Sequence, residues 1–263
     1  MASDHPCWDP QQYERFKAER ARPFHDLVAR VAEGSVSCAA DLGCGTGELT
    51  RRLVDLWPAA TTWGVDRSPE MLAKASAHVV AGRLSFVAGD LSEWTAPQPL
   101  DRIVSNAALQ WVPDHGSLLA RLAGMLAPSG VLAVQVPNNG REPSNRFVRE
   151  MVAESRWNDR LAGVSLPKVQ TAEWYFERLT ELALAADVWE TIYYHHMPDA
   201  AAIVQWQKGT VLRPILSALD PDAAREFVVE LTARVESHYR SGPAGVLFPF
   251  RRLFFTGRRP ASP

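Results

Sequence analysis

The apolar and polar residues of this chain change period several times, and each change marks an element. From residue 10 to 33 the apolar positions Tyr13, Phe16, Leu27, Val28 and Val31 form a helical stripe interrupted at Pro23, which predicts two short helices joined near Arg22-Pro23. The apolar run Cys38-Ala39-Ala40 reads as a strand, Glu48–Leu56 as a helix stopped by Pro58, and Thr61–Asp66 as a second strand ending on a carboxylate. Ser68-Pro69-Glu70 supplies an N-cap and a first-turn proline for a helix reaching Val79, with Met71, Leu72 and Ala75 turned inward. Leu84–Ala88 reads as a third strand and Arg102–Ser105 as a fourth. His115–Leu126 is an amphipathic helix closed by Pro128-Ser-Gly130, and the unbroken apolar character of Val131–Val136 suits a parallel strand buried on both faces.

After Asn138 this alternation stops. Helical stretches over Pro143–Ser155 and Ala172–Ala185 precede a strand at Val188–His195, a long helical run fills Asp199–Arg240, and Arg252–Gly257 forms a last strand. The order predicts an α/β fold: a doubly wound, mostly parallel, seven-stranded Rossmann-like sheet with helical insertions over its switch point. One domain is expected over residues 1–263, with 10–33 as N-terminal lid helices, 37–136 as a nucleotide-binding core, 138–185 and 198–246 as inserted caps, and 247–259 as the last strand.

Chemistry enters at Asp41-Leu-Gly-Cys-Gly-Thr-Gly47, between the first strand and its helix. Glycines at Gly43, Gly45 and Gly47 allow a tight turn and let a ligand lie against main-chain N–H groups. The nicotinamide and flavin fingerprint Gly-x-Gly-x-x-Gly fails, because Glu48 stands where its third glycine belongs. Asp66 follows Gly43 by 23 residues and ends the second strand, where a carboxylate can accept both hydroxyls of a ribose. Asp90 follows the third strand, where it can accept from the exocyclic amine of an adenine while the next backbone N–H, that of Leu91, meets the ring. Asn106 ends the fourth strand, and the first and fourth strands flank the point where strand order reverses.

Composition removes several classes of partner. The net charge of −2, from 28 basic and 30 acidic residues, gives no global field for nucleic acid or an anionic membrane, so an anionic substrate needs a local basic pocket. The three cysteines, Cys7, Cys38 and Cys44, form neither a disulfide set nor a close metal-ligand cluster, which fits a reducing cytoplasm. No signal-peptide pattern opens the chain and no apolar stretch is long enough to span a bilayer. His195 and His196 are adjacent on a strand, point to opposite faces, and so do not make a metal pair.

The Asp-x-Gly-x-Gly-x-Gly motif with its downstream acids resembles the first motifs of the class I S-adenosylmethionine-dependent methyltransferases. That resemblance implies S-adenosylmethionine as cofactor, its methionine end on Asp41, with Gly43, Cys44, Gly45, Gly47, Asp66, Arg67, Asp90, Leu91 and Asn106 completing the site. Beyond the shared sheet the chain resembles the trans-aconitate methyltransferase family. That likeness rests on Tyr13 with Glu19–Pro23, Asn106–Asp114, Val134–Asn138, Trp189 with Tyr193-Tyr-His195, Leu212-Arg-Pro214 and Arg252-Leu-Phe254. It implies Arg22, Trp111, Tyr193, Tyr194, His195, Arg213 and Arg252 as contacts for a small polycarboxylic acid, although the doubled Arg251-Arg252 leaves open which arginine enters the pocket. Arginine suits that task because its planar fork binds a carboxylate through two hydrogen bonds. A carboxylate acceptor is already ionised at neutral pH, so neither a catalytic base nor a metal is expected. A hydroxylated acceptor with His195 as base, and a cofactor-binding module without activity, are the competing expectations.

Overall fold

The computed structural model describes residues 17–261. The strands form where their hydrophobic pattern puts them: β1 (Cys38–Leu42), β2 (Thr61–Asp66), β3 (Leu84–Ala88), β4 (Leu100–Asn106), β5 (Leu126–Pro137), β6 (Ala185–Met197) and β7 (Val246–Arg258). They make one sheet in the order β3-β2-β1-β4-β5-β7-β6, with β1 through β5 parallel and β7 antiparallel to β5. The order reverses between β1 and β4, the expected switch point.

The helices are α1 (Lys17–Ala29), α2 (Glu48–Leu56), α3 (Pro69–Ala75), α4 (His115–Gly124), α5 (Pro143–Ala153), α6 (Ser155–Asn158), α7 (Ala172–Glu181), α8 (Ala201–Lys208), α9 (Arg213–Ala218) and α10 (Pro221–His238). Several differ from the sequence reading. Helix α1 runs through Pro23 instead of breaking there. Losing one helical bond and accommodating the ring costs about 3 kcal/mol, and burial of Phe24, Leu27 and Val28 on the same helix offsets it at about 1.5–3 kcal/mol each. Tyr13 and Phe16, the outer part of that stripe, lie outside the described residues. Helix α3 ends at Ala75 and tightens into a 3-10 turn over Ser76–His78, with Ala75 fully buried but Met71 and Leu72 only half so. The single run expected over 199–240 is three helices, because Gly209 closes α8 while Pro214 and Pro221 open α9 and α10.

The described chain forms two compact units. One consists of Arg20–Pro137, Lys168–Thr191 and the residues from Arg252 onward; its core gathers Leu42, Ile103, Leu119, Leu132, Val134 and Phe255. The other consists chiefly of Asn138–Pro167 and Ile192–Arg251, packed around Trp157, Met197, Trp206, Phe227 and Phe248. Within it Arg234 bridges Glu154, at 2.6 Å, and Glu230, tying the start of α6 to α10. No described helix is long and apolar enough to cross a membrane.

Candidate functional site

The glycine loop is held from below by β2. The N–H groups of Gly43 and Cys44 both donate to the Val65 carbonyl, at 2.8 and 3.0 Å, and that of Gly45 donates to Asp66 Oδ2 at 2.9 Å. These donors are therefore engaged within the protein, and the loop does not offer them all to a ligand as the sequence suggested. Its glycines answer to different demands. A Cβ at Gly43 would stand 2.2 Å from the Ala108 Cβ, so that residue lets the loop after β4 close onto it. Gly45, at φ +55°, has nothing within 4 Å of where its Cβ would be, so it leaves the cradle open to a ligand.

Three acids surround this cradle. Asp41 is 3% exposed at the end of β1, and its Oδ2 accepts a 2.6 Å bond from the Thr50 hydroxyl on α2. Burial raises its pKa to about 6 against the Thr50 bond, and the Asp66 charge adds to the rise. Asp66 accepts from Gly45 through Oδ2 and from the Ser68 N–H at 2.9 Å through Oδ1, leaving a second lone pair on each oxygen. Ser68 itself caps α3 through the Met71 N–H. Asp90 takes both the Ser92 N–H, at 2.8 Å, and the Ser92 hydroxyl on one oxygen, Oδ1, which leaves Oδ2 to accept from a ligand. Those bonds hold its carboxyl below the usual range. Burial and the two acids push the Cys44 thiol upward, so it remains neutral. Leu91 is buried, whereas Arg67 is exposed near enough to Asp90 to favour its charge.

Beyond β4, Asn106 keeps a buried Oδ1 with no hydrogen-bond partner among the described residues. Ala107 follows at φ 56°, held by its N–H to the Gln135 carbonyl at 2.9 Å and by Gln110 Nε2 donating to its own carbonyl at 2.6 Å. The turn Leu109–Trp111 carries Trp111 to 38% exposure.

The expected acceptor contacts separate. Arg252 is 5% exposed on β7 and donates to Gln135 Oε1 at 3.4 Å, whereas Arg251 is half-buried with its N–H on Asn139 Oδ1 and its charge near Glu142. Strand alternation thus turns Arg252 inward and settles which of the doubled arginines is buried. Tyr193 and His195 are buried on one face of β6, His195 stacked on Trp206 at 4.9 Å, but Tyr194 points the other way and is 57% exposed. The three therefore do not converge. Arg22 and Arg213 are exposed on α1 and α9.

Thr50, Gln110, Arg121 and Gln135 were not among the site residues assigned from the sequence, although Gln110 and Gln135 stand within segments that carry the family likeness. Arg121 donates to the Trp94 and Leu91 carbonyls and clamps the loop after β3. Gln135 is fully buried, the one amide inside an apolar strand. Among the described residues no group of His, Cys, Asp and Glu is arranged to hold a metal ion.

A methyltransferase domain model matches residues 39–130. A trans-aconitate 2-methyltransferase of Streptomyces avermitilis is 47% identical, over 97% of this chain and 98% of that protein. Those of Azoarcus and Escherichia coli are 42% and 40% identical, over 97% and 96% of this chain and 100% and 98% of theirs. Among solved structures, the YcgJ protein of Bacillus subtilis aligns with a TM-score of 0.59 at 14% identity, over 91% of this chain and all of that one. Phosphoethanolamine N-methyltransferase 2 of Haemonchus contortus, solved with S-adenosylmethionine, aligns at 0.56 and 18% identity, over 91% of this chain and 52% of that one. At such identities these two share the fold alone.

Proposed function

The chain belongs to the trans-aconitate 2-methyltransferase family, and from that premise we propose that it transfers a methyl group to one carboxylate of trans-aconitate, giving the monomethyl ester. The methyl donor is S-adenosylmethionine. The observation that carries the choice of acceptor is the likeness to trans-aconitate 2-methyltransferases at 40–47% identity over nearly the whole chain. We place the reaction in a reducing cytoplasm, where the free thiols of Cys38 and Cys44 persist.

The residues present fit that donor. S-Adenosylmethionine supplies a methyl on a sulfonium that an anionic oxygen can take. Asp41, buried and held by Thr50, supplies a counter-charge for a cationic amine. The remaining lone pairs of Asp66 suit ribose hydroxyls, and Oδ2 of Asp90 suits an adenine amine beside Leu91. The open cradle at Gly45 leaves room that a side chain would fill. For the acceptor we assign Arg252 first, because a buried guanidinium in a dry surrounding is worth far more to a carboxylate than an exposed one. Arg22 and Trp111, in the same unit as Arg252, are assigned supporting contacts; Arg213, Tyr193 and His195 stay candidates to be tested by substitution, and Tyr194, exposed on the opposite face of β6, is assigned none.

A carboxylate needs no deprotonation at neutral pH, so this chain has only to align its oxygen with the donor methyl and keep water away while opposite charges cancel. The test is a panel of trans-aconitate, its cis isomer, smaller dicarboxylic acids and a phenol, offered with methyl-labelled donor and followed by mass spectrometry. Methylation of trans-aconitate, at a rate flat from about pH 6 to about pH 8, is the expected result. Selective methylation of the phenol with loss of rate below about pH 7, or tight cofactor binding without turnover of any acid, overturns it.

A further inference from the structure

Strand register places four polar side chains on one face of the sheet. Asp41 pairs with Val104, Asn106 with Gln135, and Pro137 with Arg252, so Asp41, Asn106, Gln135 and Arg252 project from the same side of β1, β4, β5 and β7, neighbours in that order. The row steps toward the carboxyl ends of the parallel strands. It begins with an acid, ends with a guanidinium, and holds two amides between them.

The orientation of the Gln135 amide follows from its neighbour. An arginine has donors only, so the atom of Gln135 facing Arg252 Nη1 at 3.4 Å is its carbonyl oxygen. The Nε2 group therefore makes no bond to Arg252. It is buried and has no hydrogen-bond partner among the described residues, on a residue that is 0% exposed. Leaving an amide donor buried and unmade is costly, and an apolar residue of the same volume in this strand would avoid the cost.

We infer that Gln135 is an acceptor-binding residue, whose side-chain N–H donates to the carboxylate that Arg252 also faces. The inference rests on the carboxylate acceptor proposed above and adds the residue that selects it. A donor and a guanidinium side by side accept an anion and reject a cation or an apolar group. Asn106, one strand closer to Asp41, adds a buried acceptor oxygen with no hydrogen-bond partner among the described residues. The row is therefore polarised, with acceptors toward the cationic methyl donor and hydrogen-bond donors toward the anionic methyl acceptor.

Two variants test this. Gln135→Glu keeps the shape and the Arg252 partner but replaces the N–H donor with negative charge, and Gln135→Met keeps the volume and removes both polar atoms. Titration of trans-aconitate into each enzyme saturated with S-adenosylhomocysteine should show affinity down about 10- to 100-fold, more for Glu than for Met, with kcat/KM following. S-Adenosylhomocysteine affinity should hold within about twofold, and the Glu variant should melt no lower than the wild type, because it keeps an acceptor for Arg252. An acid lacking the recognised carboxylate should bind wild type and Met variant alike. If Gln135 instead pairs with Asn106 to brace the sheet, both variants melt lower and aconitate affinity does not change, which overturns the inference while wild-type turnover leaves the proposed function standing. A wild type that neither binds nor methylates any carboxylic acid overturns both.

Discussion

The two faces of the central strands are made from alternate residues of the same segments, yet they are governed by different physics. One face, with Ala40, Leu42, Ile103, Leu132, Val134, Val136, Leu253 and Phe255, joins a continuous apolar cluster in which each side chain is at most 1% exposed. The other carries Asp41, Asn106, Gln135 and Arg252 among the buried Val104, Ala133 and Phe254. Parity along a strand therefore separates a wholly apolar face from one on which polar side chains are set among packing residues. Changes on the apolar face should be read in the melting temperature, and changes at those polar side chains in the constants of binding and turnover.

The largest effect should come from the apolar face. Phe255 is stacked on Tyr175 at 4.4 Å. The Tyr175 hydroxyl donates to His115 Nδ1 at 2.6 Å, and the Nε2–H of His115 donates to the Leu109 carbonyl at 2.9 Å. This tautomer suits a histidine whose pKa burial has lowered, and it ties the core to the turn after β4. Phe255→Ala should cost about 3–5 kcal/mol of stability, seen as a lower denaturation midpoint, with KM for aconitate unchanged at temperatures where the variant is folded. A large rise in KM with an unaltered midpoint would dissolve the distinction between the faces.

On the polar face, Arg252→Ala should lower kcat/KM for trans-aconitate by a hundredfold or so, corresponding to about 3 kcal/mol. Part of that loss comes from Gln135, which would lose the partner that orients it. Arg252→Lys should recover only some, since an ammonium keeps the charge without the fork. Unchanged S-adenosylhomocysteine affinity in both variants keeps the effect on the acceptor side, whereas equal losses of cofactor and acceptor affinity would make Arg252 structural.

The same contrast explains what could be foreseen. Helix α2 and strands β2 and β3 have the bounds that periodicity predicts, because glycine and proline punctuate a strict alternation of strands and helices there. The three strand-end acids were legible for the same reason. Gln135 was not, because a single amide within an apolar run carries no period; its meaning depends on Arg252, more than a hundred residues away and brought alongside only by the antiparallel pairing of β5 and β7. Pro23 misled, since the local rule for proline takes no account of the burial of Phe24 and Leu27 that outweighs it.

Arg213 probes the chain outside the sheet. Its residue opens α9 and is exposed, so its charge is better solvated than that of Arg252 and a carboxylate contact there is worth less. Arg213→Ala should reduce kcat/KM for trans-aconitate by roughly tenfold and leave cofactor affinity and melting unaltered. Near-normal efficiency would remove Arg213 from the acceptor site; a loss matching that of Arg252→Ala would show that exposure is a poor guide to its role.

The smallest expected effect concerns the acid end of the polar row and is read through pH. Burial raises the Asp41 pKa to about 6, so in the ligand-free protein the carboxyl is mostly neutral below that pH and mostly ionised above it. A group raised in this way stabilises the fold fully below about pH 4, and loses that contribution as pH climbs through about 6. A cationic amine beside it has the opposite preference, since it binds the ionised carboxylate better. The affinity for S-adenosylhomocysteine, which carries that amine, should therefore rise between about pH 5 and about pH 7 by at most tenfold or so, and level off above. Asp41→Asn should abolish the slope, because an amide does not titrate, and should raise the melting temperature of the ligand-free protein at about pH 8, where the wild type holds a buried charge. Calorimetric titrations across that range, on both proteins, decide the matter. A slope that survives in Asp41→Asn would assign the titration to another group and take from Asp41 its part in holding the donor.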